Sequence, residues 1–218
     1  MQDAKRKAYN KQIVYYCMFQ KKITERVLEA IEHSPKGIAS LDVLASLRIC
    51  GRDTLKTTLS RLGMTNRLIH LKRGTYSVNP LRDAFSCAQS TFNGYLGFTS
   101  ALYLHKLITE IPFSITVVTN HVSKGKLVGE FSFLAVALNE KAVGFEKLGD
   151  YVVSSRAKTL FDCLYLPKYS IEQTKLIASY KEAKLGKTEW KDFDGYVKKF
   201  AGGKKEKMLL VKREILGG

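Results

Sequence analysis

The sequence predicts an α+β protein, with an N-terminal winged helix-turn-helix followed by a mixed α+β C-terminal domain that ends in helices. Three patterns in the 218 residues carry that expectation. Helical periodicities followed by a hairpin pattern occupy 23–80. Helical and β-branched stretches alternate across 81–170, and from about 171 the pattern is helical to the end. The expected division is therefore 1–22, a basic and aromatic leading segment; 23–80, the winged unit; and 81–218, the C-terminal domain.

In the winged unit, Ile23, Val27, Leu28 and Ile31 recur at helical spacing until Ser34-Pro35 and Gly37 end the pattern. Ser40 is placed to accept hydrogen bonds from free amides of a second helix over 41–47, with Leu41, Leu44 and Leu47 on one side. Arg48-Ile49-Cys50-Gly51-Arg52 reads as a tight connection. Asp53 is expected to cap a third helix over 54–62, whose apolar stripe is Leu55, Leu59 and Leu62, with Gly63 closing it. The run 67–72, an Arg73-Gly74 turn and Thr75-Tyr76-Ser77-Val78 form a hairpin bounded by Asn79-Pro80.

Further on, 81–90 and 98–107 read as helices, and His105 is expected in a core or interface, held by a hydrogen bond. Ile115-Thr116-Val117-Val118-Thr119 is a β-branched strand, Gly129-Glu130-Phe131-Ser132-Phe133 another, and Lys124-Gly125-Lys126 the turn between them. Short strands at 143–145 and 151–153 precede a helix capped by Ser155 and stopped by Pro167. The end is helical in about three pieces, broken near Gly186 and Gly202-Gly203, with Trp190, Phe193, Tyr196, Val197 and Phe200 as packing residues.

Charge narrows the function. The chain has 36 Lys and Arg against 20 Asp and Glu, a net +16. Residues 1–80 hold 15 basic and 6 acidic side chains, a net +9, against +2 for 81–170 and +5 for 171–218. A neutral middle between basic ends points to a polyanion-binding N-terminal unit, while the C-terminal lysines equally serve as a solubilising surface. With 45% hydrophobic residues, the composition excludes a disordered basic tail. The apolar run 13–19 is far short of the roughly 20 residues a membrane helix needs, and Gln20-Lys21-Lys22 follows it where a cleavage site would need small residues. Cys17, Cys50, Cys87 and Cys163 form no C-x-x-C pair and no zinc-ligand spacing, so reduced core cysteines, a cytoplasmic location and no metal are expected.

On a helical wheel with the leucine stripe near 0°, Lys56, Thr57, Ser60 and Arg61 fall at roughly 100° to 240°, a face expected to lack acids after the cap. Such a helix suits the major groove of double-stranded DNA. Thr57, Ser60 and Arg61 are the expected specificity residues, with Lys56 beside them. Arg48, Arg52, Lys72 and Arg73 are the expected phosphate contacts, which would supply salt-dependent affinity. A basic face that is merely solvated, or a winged helix used for protein contacts, is the structural alternative.

The motifs then resemble those of the AbiEi-type antitoxins, the transcriptional-regulator half of type IV toxin-antitoxin and abortive-infection systems. Leu71-Lys72-Arg73-Gly74-Thr75-Tyr76 resembles the family's wing with its R-G-x-Y core. The stretch from Tyr95-Leu96-Gly97 through Ser100-Ala101-Leu102-Tyr103-Leu104-His105-Lys106-Leu107 resembles its S-A-L-x-x-H-G-L helix. Arg156-Ala157-Lys158-Thr159-Leu160-Phe161-Asp162-Cys163-Leu164 is similar to its P-E-K-x-L-x-D-L helix. These pieces occur in the family's order over roughly 38–166. Arg156-Ala157 stands where proline and glutamate are usual and Lys106 where glycine is usual, so the family's glutamate has no counterpart here. The resemblance implies a repressor that binds promoter inverted repeats as a pair of protomers. It also implies a C-terminal domain that opposes a nucleotidyltransferase-like toxin.

The competing classes are a small metal-dependent nuclease and a structured-RNA-binding module. Glu130, Glu140, Glu146, Asp150 and Asp162 are scattered, with Glu140-Lys141 and Asp162 read as surface charges or a helix-face contact, and His70, His105 and His121 lack a triad partner in sequence. No P-loop or G-x-G-x-x-G supports a cofactor. Tyr15, Tyr16 and Phe19 precede the winged unit, whereas single-strand readers place stacking aromatics on the binding surface, which favours duplex DNA. A non-enzymatic regulator without cofactors is expected.

Overall fold

A computed structural model describes residues 22–217, which fall into two compact units divided between Arg82 and Asp83. The leading segment 1–22, with Tyr15, Tyr16 and Phe19, lies outside the described residues except for Lys22.

The first unit runs α1 (Ile23–Glu32), β1 (Ile38–Ser40), α2 (Leu41–Ser46), α3 (Arg52–Met64), β2 (Leu68–Lys72) and β3 (Thr75–Val78). Its antiparallel sheet has the order β1-β3-β2, so the unit is a winged helix-turn-helix. Strand β1 has no signature in the sequence, because it is three residues long and forms only by pairing Ile38 with Ser77 and Ser40 with Thr75. Gly37 makes the entry possible: its φ is +67°, and a Cβ there would lie 2.7 Å from Val78 Cγ2. Val27, Leu28, Ile31, Leu44, Leu55, Leu59, Leu62, Leu68 and Val78 form one core. Each fully buried leucine contributes roughly 1.5–3 kcal/mol.

Several local expectations for this unit are corrected. The N-cap of α3 is Gly51, and Asp53 lies inside the first turn; Gly63 is also inside, Thr65 is the C-cap, and Asn66 takes the left-handed conformation. At its C-terminal end the helix closes on its own carbonyls, with Arg67 N donating to Leu62 O at 2.9 Å, and at its N-terminal end Leu55 N donates to Gly51 O at 2.9 Å. Leu47 follows α2 as its C-cap and is exposed, because the helix ends before that residue can turn to the core. Ser40 caps α2 as expected, its Oγ accepting from Val43 N at 3.2 Å.

The second unit runs α4 (Ala84–Phe92), β4 (Tyr95–Leu96), α5 (Phe98–Leu104), β5 (Ser114–Thr119), β6 (Lys124–Val128), β7 (Phe131–Ala137), β8 (Phe145–Leu148), β9 (Tyr151–Ser154), α6 (Arg156–Tyr165), α7 (Gln173–Ala183), α8 (Lys187–Phe200) and α9 (Lys205–Leu216). Its six strands lie in the order β6-β7-β5-β4-β9-β8, with β5/β7 and β4/β9 parallel and the other pairs antiparallel. Strand β5 is buried from Ile115 to Thr119, as its β-branched run implies for a central strand. Phe98, Leu102, Val118, Leu160, Phe161, Tyr180, Phe193, Val197 and Met208 belong to one core joining sheet and helices.

Here too the structure differs from the sequence reading. Lys124-Gly125-Lys126 begins strand β6, and the turn lies at Gly129, whose φ is +60°. Strand β6 escapes notice because it is an edge strand whose outward lysines break the apolar pattern. The strand expected at 143–145 starts at Phe145 and runs to Leu148. The helix expected over 81–90 starts at Ala84, capped by Asp83, whose carboxylate accepts from Ser86 N at 3.0 Å. The helix expected over 98–107 stops at Leu104, because Lys106 adopts φ +60°. His105 is half-buried, and its Nε2 donates to Ser154 O at 2.7 Å. No described helix is long and apolar enough to cross a membrane.

Candidate nucleic-acid interface

Burial of Leu55, Leu59 and Leu62 aims the opposite side of α3 at solvent, so Lys56, Thr57, Ser60 and Arg61 are all exposed. They share one continuous face of a single helix, the arrangement expected from their spacing. Thr57 Oγ1 donates to Asp53 O at 3.0 Å, which directs its remaining lone pairs outward. Arg48 is exposed in the connection ahead of α3, with φ +50°. Lys72 is half-buried at the end of β2, and Arg73 is exposed in the hairpin turn. Leu41 N donates to Gly74 O at 2.8 Å, which ties that turn to the start of α2.

The expectation of an acid-free face is overturned. With Asp53 inside the helix it sits at roughly 160° from the leucine stripe, in the middle of the exposed arc. Lys56 Nζ lies 3.2 Å from Asp53 Oδ1, and Arg52 Nη2 lies 2.8 Å from Asp42 Oδ1. Arg52 and Lys56, both expected contacts, are thus already engaged by carboxylates at the N-terminal end of α3. The positive charge of the unit's surface shifts toward Arg48, Arg61 and Arg73. Both aspartates were missed as partners. The Asp53–Lys56 spacing of three residues is a legible signal once the helix is known to start at Arg52, whereas Asp42 meets Arg52 only through the packing of α2 on α3.

The second unit holds a charge cluster of another kind. Asp162, read from sequence as a surface charge or helix-face contact, is fully buried and pairs with Lys158, also fully buried, one turn earlier on α6. Residues 157–164 are all buried, because α6 lies inside the core that joins sheet and helices. Asp162 Oδ2 has no hydrogen-bond partner. Lys158 Nζ lies 5.3 Å from the Phe161 ring centre and 5.9 Å from that of Tyr196. Gly144, at φ +73°, admits the Tyr196 hydroxyl where any side chain would collide with it. Burial pushes the Asp162 carboxyl up to about 6, against the opposing pull of Lys158. Burial likewise lowers Lys158, offset in part by Asp162. Burial, then the charge on Asp162, holds the Tyr95 hydroxyl well above its ordinary range. Arg156, at the position where the resembling family has proline, forms a two-pronged bond to Glu189 of α8 at 2.8 and 2.9 Å. Glu140 does meet Lys141, at 3.1 Å.

Among the described residues no three His, Cys, Asp or Glu side chains form a group that would hold a metal ion. No protein-family model matches the sequence, and no curated protein matches it.

Proposed function

We propose that the protein is a sequence-specific double-stranded-DNA-binding transcriptional regulator, acting in the cytoplasm as an autoregulating antitoxin and repressor of a type IV toxin-antitoxin system. The DNA reading is carried by the exposed arc of α3, where Thr57, Ser60 and Arg61 project from a helix whose other side is the leucine core. A helix so presented fits the major groove, with short polar and guanidinium groups at the height of base edges. Arg73 in the hairpin turn and Arg48 ahead of α3 supply exposed cations for the phosphate backbone, and the net +9 of residues 1–80 supplies the long-range attraction. Two protomers on inverted repeats would double the contact area and set the half-site spacing.

The antitoxin reading rests on the order of the three motifs along the chain. Two residues that match the third motif's lysine and aspartate, Lys158 and Asp162, make the buried pair of α6. On this reading the antitoxin activity belongs to the second unit, and its partner is a nucleotidyltransferase-like toxin.

Fluorescence anisotropy tests the DNA reading: a labelled duplex carrying the protein's own promoter is compared with a scrambled duplex and a matched RNA at two salt concentrations. The expected result is a promoter preference of about tenfold or more that survives the higher salt. Equal binding to all three, lost together as salt rises, would reduce the basic surface to a polyanion patch. The antitoxin reading predicts that co-expression restores growth arrested by a toxin encoded beside this gene.

A further inference from the structure

Asp53 stands where a surface built only for phosphates would carry no acid. It lies in the first turn of α3, in the middle of the solvent-facing arc, and its side chain is 97% exposed. It makes no core contact and no capping bond, since Gly51 is the N-cap; the helix dipole favours an acid anywhere in this first turn, but does not require it on the solvent-facing arc. Its partner is Lys56, one turn on and itself exposed, at 3.2 Å. The N-terminal end of α3 therefore presents an acceptor and a donor side by side on the face that would meet DNA.

The bases of a major groove offer few matches to that couple. A carboxylate is repelled by the phosphates and needs a base-edge donor, which only cytosine N4 and adenine N6 provide. Adenine places its N7 acceptor beside that amino group, an arrangement that suits an amide and opposes a carboxylate. Cytosine places no second acceptor there, and its paired guanine turns O6 and N7 toward a cation. An ammonium has three hydrogens, so Lys56 can keep Asp53 and reach a guanine at once.

We infer that Asp53 is a specificity-determining residue, selecting a C·G pair by accepting from the cytosine amino group while Lys56 donates to guanine. The inference rests on the duplex-binding reading of the first unit and adds to it the base that one position of the operator must hold. The acid also acts negatively: on duplexes without that cytosine it stays unpaired near phosphates and weakens binding, which widens the gap between right and wrong sequences.

The test is selection from a randomised duplex library followed by anisotropy on the selected duplexes, with the parent protein, Asp53→Ala and Asp53→Asn. The parent is expected to enrich C·G at one position by about tenfold over other pairs. Asp53→Ala should lose that one preference, keep the others, and bind arbitrary duplexes more tightly at low salt. Asp53→Asn should move the preference at the same position to A·T, since the amide of asparagine matches adenine N6 and N7. Loss of the exposed pair and of a first-turn acid predicts a small drop in melting temperature, with both variants still folded, and the asparagine arm reports a gained preference that misfolding would not produce. If the parent selects a sequence and Asp53→Ala selects the same one at every position, the inference falls and the DNA reading stands. If the parent selects no sequence at all, both fall.

Discussion

Two helices of this protein each carry a lysine and an aspartate one turn apart, Asp53 with Lys56 on α3 and Lys158 with Asp162 on α6. The first pair is 97% and 54% exposed and the second is fully buried. Water solvates both charges of the α3 pair, so their mutual attraction is worth only about 0.3–0.5 kcal/mol and either partner is free to turn to a ligand. Around the α6 pair water is replaced by Phe161, Tyr196 and the helical core, so each charge depends on the other and neither is available to the outside. The same two residue types at nearly the same spacing thus stay open to solvent in one unit and are locked inside the core in the other, and the difference lies in what surrounds the helix.

The largest effect that separates the two pairs is expected from Asp162→Ala, which strands the Lys158 ammonium in the core. Urea denaturation should register a loss of about 3–5 kcal/mol, and the double change to Lys158→Met and Asp162→Leu should recover most of it. A loss as small as that of an exposed pair would remove the contrast.

Acidity sharpens the same point. The folded Asp162 carboxyl, at about 6, holds its proton more tightly than the unfolded one near 3.8. Between those values the folded state binds more protons than the unfolded state. The contribution of this group to stability is therefore greatest below the unfolded value and is lost as pH rises toward 6. Lys158 is lowered, so its contribution runs the other way on the alkaline side, with stability rising as pH climbs toward its unfolded value. Denaturation of the parent at pH 4.5 and 6.5, set against Asp162→Asn, should yield a pH-dependent difference between the two proteins. Parallel curves would refute it.

On the exposed helix the expected effects are on binding. Arg61→Ala should lower discrimination at one operator position by about 1–3 kcal/mol while leaving the melting temperature in place. A variant as selective as the parent would mean that another face of α3 reads DNA. Arg73→Ala should weaken all duplexes alike and reduce the slope of log K against log salt by about 1, measured by anisotropy titration across salt. Smallest of all, Lys56→Ala should change unfolding free energy by no more than about 0.5 kcal/mol. A larger loss would show that the exposed pair carries structural weight after all.

Much of the first unit was legible. The stripe Leu55, Leu59, Leu62 gave both the burial of one side of α3 and the exposure of the other, because a 3.6-residue period admits one apolar face. The hairpin and the Ser40 and Ser155 caps were equally local, and each is realised. Asp53 has the chemistry of a cap without being the cap. Ser, Asp and Gly all suit that position, and the helix was free to begin two residues earlier at Gly51. That shift of register moved a carboxylate from the helix end onto the exposed face. Strands β1 and β6 were missed for a different reason: three residues against β3, and a lysine-bearing edge against β7, become strands only when the partner is present.

Periodicity, capping chemistry and charge distribution, all properties of neighbours along the chain, therefore determined the α+β class, the winged order of the first unit and the side of α3 that meets water. Tertiary structure decided which ionisable groups leave water, since burial depends on what packs from elsewhere. The sequence Ala157-Lys158-Thr159-Leu160-Phe161-Asp162 reads as a helix with one charged edge, and the packing of α5 and α8 on it, with Tyr180 of α7 and Ser154 of β9, turns that edge inward. Once inside, solvation is lost while the Coulomb attraction remains. That exchange sets Asp162 and Lys158 apart from the same residues on α3.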